Sequence, residues 1–227
     1  MGKGKDEIQW MASELLIQMS KNGPIAPAVK AIKSTYLSEL QEALDTEDKR
    51  KAFWINLYNG AFLILRKKNQ LNAPKIFTTR RIKFADFSLS LDDIEHGILR
   101  KGQWKFGLGY IRWPFIRPPV SALMVEQLDY RIHFALNCGA KSCPIIRFYD
   151  YLKLTEQLNR AQNLFVKVDS QEQGNQLLVS KIFLWFYGDF GGRKGIINLH
   201  QKILHLKRSS YSIKYHPYDW SPAHRFE

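Results

Sequence analysis

Cysteine is scarce: Cys138 and Cys143 are the only two in 227 residues. That excludes a disulfide-framework fold, which needs more cysteines in a longer pattern. In a reducing compartment both are expected as thiols. Four residues separate them, so there is no Cys-x-x-Cys motif. Long hydrophobic runs are missing too. The best candidate, Ala61 to Leu65, falls far short of the ~20 apolar residues a membrane-spanning helix needs. The start, Met1-Gly2-Lys3-Gly4-Lys5, leads straight into an amphipathic stretch, so no secretory signal is expected. Asp6 stands where N-myristoylation wants Ser or Thr. A cytoplasmic location is the resulting expectation. Acidic residues are the minority, 21 against 34 Lys and Arg, for a net charge of +13. The basic residues are scattered, as at Lys67-Lys68, Arg80-Arg81 and Lys207-Arg208, and form no long tract. A solvated basic surface is expected from this, and dedicated nucleic-acid binding is not.

What the chain does hold is apolar bulk. Apolar residues make up 45% and aromatics 13%, enough to fill a sizeable core. Ile8, Met11, Leu15 and Met19 fall at helical spacing across residues 7–20. A second helix is expected over 27–43, and a third from Asp45-Thr46 to about Lys68. Around Phe53-Trp54-Ile55-Asn56-Leu57-Tyr58-Asn59 the third helix is apolar on nearly every side, so it should be buried. Asn56 and Asn59 then need partners, since a buried unpaired amide costs about 1–3 kcal/mol. Anchoring of nearby loop backbone is the simplest role for both.

Residues 70 to 90 read as loops with short strands. Ser90, followed by Asp92 and Asp93, is a helix start. The helix should run to about Lys101 and carry Asp92, His96 and Arg100 on one face. Residues 102 to 121 are rich in Gly, Pro and aromatics and form a long connection, of the kind that walls a site. Residues 131 to 138 alternate and read as a strand. Helices are expected over 152–166, 181–187 and 194–204, and strands over 176–179 and 210–214. The aromatic tail Tyr218-Asp219-Trp220 can dock on the core.

Several of these blocks, in this order, resemble the domain of unknown function 547 family. They are Phe53 to Asn59, Leu91 to Arg100 with Ile94-Glu95-His96, Asp129 to Pro144, Ser180-Lys181-Ile182-Phe183 with Asp189-Phe190-Gly191, and Tyr218-Asp219-Trp220. The resemblance covers most of the chain from about residue 47. It implies a distant likeness to papain-like and transglutaminase-like cysteine enzymes, in which a Cys opens a helix and a His sits on a facing strand. This sequence departs from that pattern. Asn56 lies in the buried helix where a nucleophile is sought, and both cysteines follow the His133 segment.

The resulting expectation is an α+β fold: a small, mostly antiparallel sheet, from strands near 131–138, 176–180 and 210–214, packed against helices. Residues 1–45 are read as a helical N-terminal extension and 46–227 as the family-like domain. The candidate site residues are Cys138, His133, His96, Glu95, Cys143 and Asn56. A thiol enzyme needs a thiolate, a base and an orienting group. On a strand His133 and Cys138 point to opposite faces, so either His96 reaches Cys138 across the fold or His133 meets Cys143 after the turn. Gly139 can leave amides free as an oxyanion hole. Three readings stay open. The first is thiol-dependent hydrolysis or acyl transfer on an amide-type bond, with a small-molecule or peptide substrate. The second is a zinc site of Cys138, Cys143, His96 and His133. The third is a non-catalytic binding domain with a buried Cys/His/Asn core. No cofactor is expected.

Overall fold

The apolar helix around Trp54 is the axis of the larger of two buried clusters. In the computed structural model, which describes residues 4–67, 72–208, 210–223 and 225–226, it spans Glu47–Lys67, and every residue from Ala52 to Leu63 is buried. The expected end of this helix at Lys68, the start Met1 to Lys3 and residues 70–71 lie outside the described residues. Helix α1 (Lys5–Ser20) lies along this central helix and buries Ile8, Met11, Leu15, Leu16 and Met19. Gly60 allows the close approach: a Cβ there would press on Leu15 and on the Leu16 backbone.

The helix expected over 27–43 is two helices, α2 (Ala26–Lys33) and α3 (Leu37–Ala43). The break is local hydrogen-bond competition. The Thr35 carbonyl accepts from Ala85 N–H, the Tyr36 N–H donates to Glu39, and the Leu37 N–H donates to Asp86. With these groups diverted, the chain is extended at Tyr36 and the next helix restarts with Glu39 in its first turn. The central helix is therefore α4. After it come α5 (Lys75–Thr78) and an antiparallel pair, β1 (Ile82–Lys83) and β2 (Ser88–Leu89).

The helix begun by Ser90 is wider than expected. Asp93–Leu99 is a π-helix, closed by Arg100 N–H to Glu95 O at 2.8 Å. Its start is capped reciprocally: Ser90 N–H and Oγ–H both donate to Asp93 Oδ2 at 2.9 Å, and Asp93 N–H donates to Ser90 Oγ. Such turns are rare and concentrate at functional sites. Helix α6 (Pro118–Ala122) packs against it.

The strand expected over 131–138 does not form. Tyr130–Phe134 is a 3-10 turn, started by Asp129, whose carboxylate accepts from the Arg131 N–H and guanidinium. Residues 132 to 137 are all buried, so the apparent alternation did not divide a core face from a solvent face. A second 3-10 turn (Tyr151–Lys153) leads into α7 (Leu154–Asp169). The sheet beyond it has three strands. β3 (Gln171–Gln173) and β4 (Gln176–Val179) form an antiparallel hairpin, and β5 (Ser212–Tyr215) joins β4 in parallel, Leu177 opposite Ile213. The polar strand β3 gave no hydrophobic signal. Between β4 and β5 lie α8 (Ile182–Trp185) and α9 (Gly192–Leu204). The fold is α+β with helices at its N-terminus, as expected.

Two buried clusters result, one around α4 and α1, the other around Phe134, Phe183, Phe190 and α9. Loops are pinned to α4 by its two asparagines. Asn56 Nδ2 donates to Tyr149 O at 2.7 Å and to Ser13 Oγ, while its Oδ1 accepts from Tyr149 N–H. Asn59 Nδ2 donates to Ala135 O at 2.9 Å, and its Oδ1 accepts from Asn137 N–H. The loop-anchoring role expected of both is what they perform. Asn56→Ala leaves the Tyr149 amide and carbonyl buried without these partners. A loss of about 2–4 kcal/mol in unfolding free energy is expected, measured by urea titration; a loss under about 0.5 kcal/mol, the ordinary surface range, would contradict the clamp.

Candidate active site

A cavity of about 580 Å³ opens between the two clusters, and its wall brings together five of the six residues singled out in the sequence: Glu95, His96, His133, Cys138 and Cys143. Asn56 is not among its lining residues. The π-helix supplies Glu95 and His96, the Tyr130–Phe134 turn supplies His133, and the segment after it supplies both sulfurs. The long connection contributes Lys105, Phe106 and Leu108 to the rim, in keeping with its expected role as a wall.

The organising residue is one the sequence did not single out as a site residue, Asp189. Its carboxylate receives Arg100 Nε at 2.6 Å and Nη2 at 3.1 Å, and His133 Nε2 at 2.8 Å. The Asp189 and Arg100 side chains are wholly buried. Burial alone pushes the Asp189 carboxyl up, but the hydrogen bonds from His133 and Arg100 outweigh it and hold it down at about 2. His133 goes the other way. Burial lowers it to about 4 against the pull of Asp189, so near pH 7 it is a neutral imidazole that donates from Nε2. Phe186 stacks on the His133 ring at 3.8 Å and carries the Arg100 guanidinium on its ring at 4.7 Å.

Asp92, His96 and Arg100 form the expected polar row. Arg100 Nη1 lies 2.9 Å from His96 Nδ1. A guanidinium only donates, so His96 Nδ1 accepts and the proton sits on Nε2, 3.8 Å from Asp92 Oδ1. Burial, and then the nearby Arg100 and Lys105 charges, push His96 well below its ordinary range. It is a neutral hydrogen-bond donor rather than a base. Glu95 is pushed up to about 7 by burial, with Arg100 opposing, and accepts from Tyr58 Oη at 3.1 Å. Tyr58 is held well above the usual tyrosine range by burial and by Glu95.

The cysteines differ from the expectation. Cys138 and Cys143 are joined as a disulfide rather than standing as two thiols. The turn from Gly139 to Ser142 folds back so that Cys138 N–H points at Cys143 Sγ, 3.1 Å away. Tyr218 Oη covers the pair, 3.1 Å from Cys143 Sγ and 3.6 Å from Cys138 Sγ. With no strand at 131–138, the opposite-face argument against a His133–Cys138 partnership falls away. The free amide expected at Gly139 is occupied, because its N–H donates to Asn137 Oδ1 at 2.7 Å. Among the described residues no group of three or more His, Cys, Asp or Glu is arranged to hold a metal ion.

Asp189 was legible in one respect: it is the only acid in the aromatic stretch Phe183 to Phe190, and an acid there must be partnered. Tyr58 and Tyr218 carried no such signal. The backbone around Asp189 is also fixed from outside. Gly188 N–H donates to Leu108 O at 2.6 Å, and Gly109, at φ +83°, sits where any side chain would strike the Asp189 amide and carboxylate.

The protein is thus an α+β domain with a cavity walled by two histidines, a glutamate and a disulfide. The family model described as protein of unknown function, DUF547, matches residues 42–166, more than half of the chain, and the protein belongs to that family. No curated protein and no solved structure matches it. Among the described residues no helix is long and apolar enough to cross a membrane.

Two substitutions test the electrostatics. Glu95 binds its proton more tightly folded, at about 7, than unfolded, at 4.5. Its contribution to stability is present below the unfolded value and is lost as pH rises through the folded one. Glu95→Gln should therefore gain on the wild type by about 2–3 kcal/mol in unfolding free energy between about pH 5 and about pH 8. Urea titrations at the two pH values measure it, and a pH-independent difference counts against the shift. Asp189→Asn leaves Arg100 buried without its anion and should cost about 3–5 kcal/mol, read from the same titration.

Proposed function

We propose that the protein is a thiol-dependent hydrolase or acyl transferase acting on amide-type bonds, with Cys138 as nucleophile once a dithiol reductant has opened the Cys138–Cys143 bond. The observation that carries this is the Asp189–His133 pair sharing one cavity wall with both sulfurs. Cys138 is the less buried of the two cysteines. In this reading His133, oriented through Nε2 by Asp189, takes the thiol proton at Nδ1, and the thiolate forms a bond to the substrate carbonyl carbon. The His96 Nε2–H donates to the developing oxyanion. The carbon–nitrogen bond breaks, and the amine leaves with the proton returned from His133. Water or an acceptor then takes the acyl group from sulfur and restores the thiol. Glu95, poised near neutrality, holds or releases a proton beside this path. The working form belongs in a reducing compartment, for which the cytoplasm is our reading.

One observation favours a second reading, a non-catalytic binding domain: both sulfurs are tied up in the disulfide. Alkylation separates the two. After mild reduction, iodoacetamide at neutral pH should label Cys138 ahead of Cys143. His133→Gln should slow that labelling about tenfold or more, since the thiolate is the reactive form and an unassisted thiol has a pKa near 8.5. Equal, slow labelling of both cysteines, seen only after unfolding, removes the enzyme reading. Cys138→Ala that costs stability without loss of any activity in the folded protein supports the binding one.

A further inference from the structure

The connection between the π-helix and α6 presents apolar rings to solvent on a rigid base. From Gly102 to Trp113 the chain forms a closed knuckle. Trp104 N–H donates to Ile111 O and Trp113 N–H to Gly102 O, both at 2.8 Å, and Gly107 N–H donates to Trp104 O at 2.9 Å. The Leu108 carbonyl is held by Gly188. The backbone is ordered while the side chains stay outside. Phe115 is 81% exposed and Phe106 69%, and Tyr110, Ile111 and Trp113 are exposed beside them. Rings follow one another along the knuckle, Phe106 to Trp104 at 5.8 Å, Trp104 to Trp113 at 6.0 Å and Trp113 to Phe115 at 6.4 Å. A contiguous exposed patch of this kind marks an interaction surface.

Charge says what meets it. Five basic residues and no acidic one lie from Arg100 to Arg117; Arg100 is buried on Asp189, and Lys105 and Arg117 pair with Asp92 and Asp93, which leaves Lys101 and Arg112. Arg112 donates to the Lys101 carbonyl and Lys101 to the Glu126 carbonyl, so neither charge is neutralised by a carboxylate among the described residues. Trp and Tyr rings beside unneutralised cations match the polar boundary of an anionic bilayer, where such rings settle and basic groups meet phosphate. A second copy that meets the patch with its own knuckle brings only like charge to Lys101 and Arg112.

We propose that the 102–117 knuckle docks on an anionic lipid surface, with Phe106, Tyr110, Ile111, Trp113 and Phe115 entering the headgroup boundary and Lys101 and Arg112 meeting lipid phosphates. Phe106 and Leu108 also line the rim of the Glu95 cavity, so docking brings that cavity to the bilayer. The proposal does not rest on catalysis, and a failed alkylation result leaves it standing.

Vesicle binding by the full chain tests it. The protein should sediment with vesicles of phosphatidylcholine mixed with phosphatidylglycerol and not with phosphatidylcholine alone, and lipids brominated on their acyl chains should quench its tryptophan emission. Phe115→Ser, with an unchanged circular dichroism spectrum, should weaken partitioning about tenfold, as expected for withdrawing one partly buried aromatic ring. Trp10→Ser, exposed on α1, should leave it unchanged. Equal binding to neutral vesicles, binding without quenching, or an equal effect of the two substitutions overturns the proposal. So does self-association abolished by Phe115→Ser without vesicle binding, which assigns the patch to a second copy.

Discussion

The carboxylate of Asp189 is the constraint on which the site depends. It is a buried anion that satisfies a buried cation and a neutral imidazole at once. Isolated, either charge would be costly in a low-dielectric interior, and a buried ion pair is tolerable only when its remaining donors and acceptors are also used. Here they are. Arg100 is bidentate to Asp189, spends a further nitrogen on His96 and lies over Phe186. One consequence is the assignment of protons. Because Arg100 can only donate, His96 must accept at Nδ1, and because Asp189 is ionised, His133 donates at Nε2. Two histidines 37 residues apart thus acquire opposite free edges on the cavity wall: one offers an N–H and the other a lone pair.

The second constraint is the pair of side-chain amides on α4. Each asparagine holds both a donor and an acceptor of an incoming loop, Tyr149 for Asn56 and the Ala135–Asn137 stretch for Asn59. The latter fixes the segment immediately before the cysteines, and Asn137 in turn spends its side chain on the Pro144 carbonyl and the Gly139 N–H. Polar networks of this kind are worth most when fully satisfied, because each member removes the penalty of burying the next. The geometry of the cysteine turn is therefore set from the central helix outward, through Asn59 and then Asn137.

That turn is also a partition. Cys143 and Pro144 line the Glu95 cavity on one side and, on the other, a cavity of about 510 Å³ walled by Leu164, Phe165 and Val168 of α7. The state of the Cys138–Cys143 bond bears on both spaces together. Tyr218 from the C-terminal aromatic tail closes the sulfur pair from above, with Trp185 and Trp220 packed against its ring. The tail expected to dock on the core docks at the site.

Much of the architecture follows from local rules the sequence states openly. Periodicity located α1 and α7, the Asp45-Thr46 cap and the apolar run located α4, Ser90 with its acids marked the helix start that proved to be the π-helix, and the alternation over 210–214 located β5. The five cavity residues named from the sequence are types that carry chemistry, and their gathering in one cavity depended only on the fold closing. Other features were undetermined by sequence because their causes are contacts between distant segments. The break between α2 and α3 depends on Ala85 and Asp86. The 131–138 stretch looks like a strand in isolation, but six consecutive buried positions come from being enclosed on all sides. Strand β3 owes its existence to its hairpin partner. Asp189 becomes the centre of the site only because Arg100 and His133, 89 and 56 residues away, are delivered to one carboxylate. Protonation states and hydrogen-bond direction are properties of that assembled neighbourhood, and no residue carries them in its own identity.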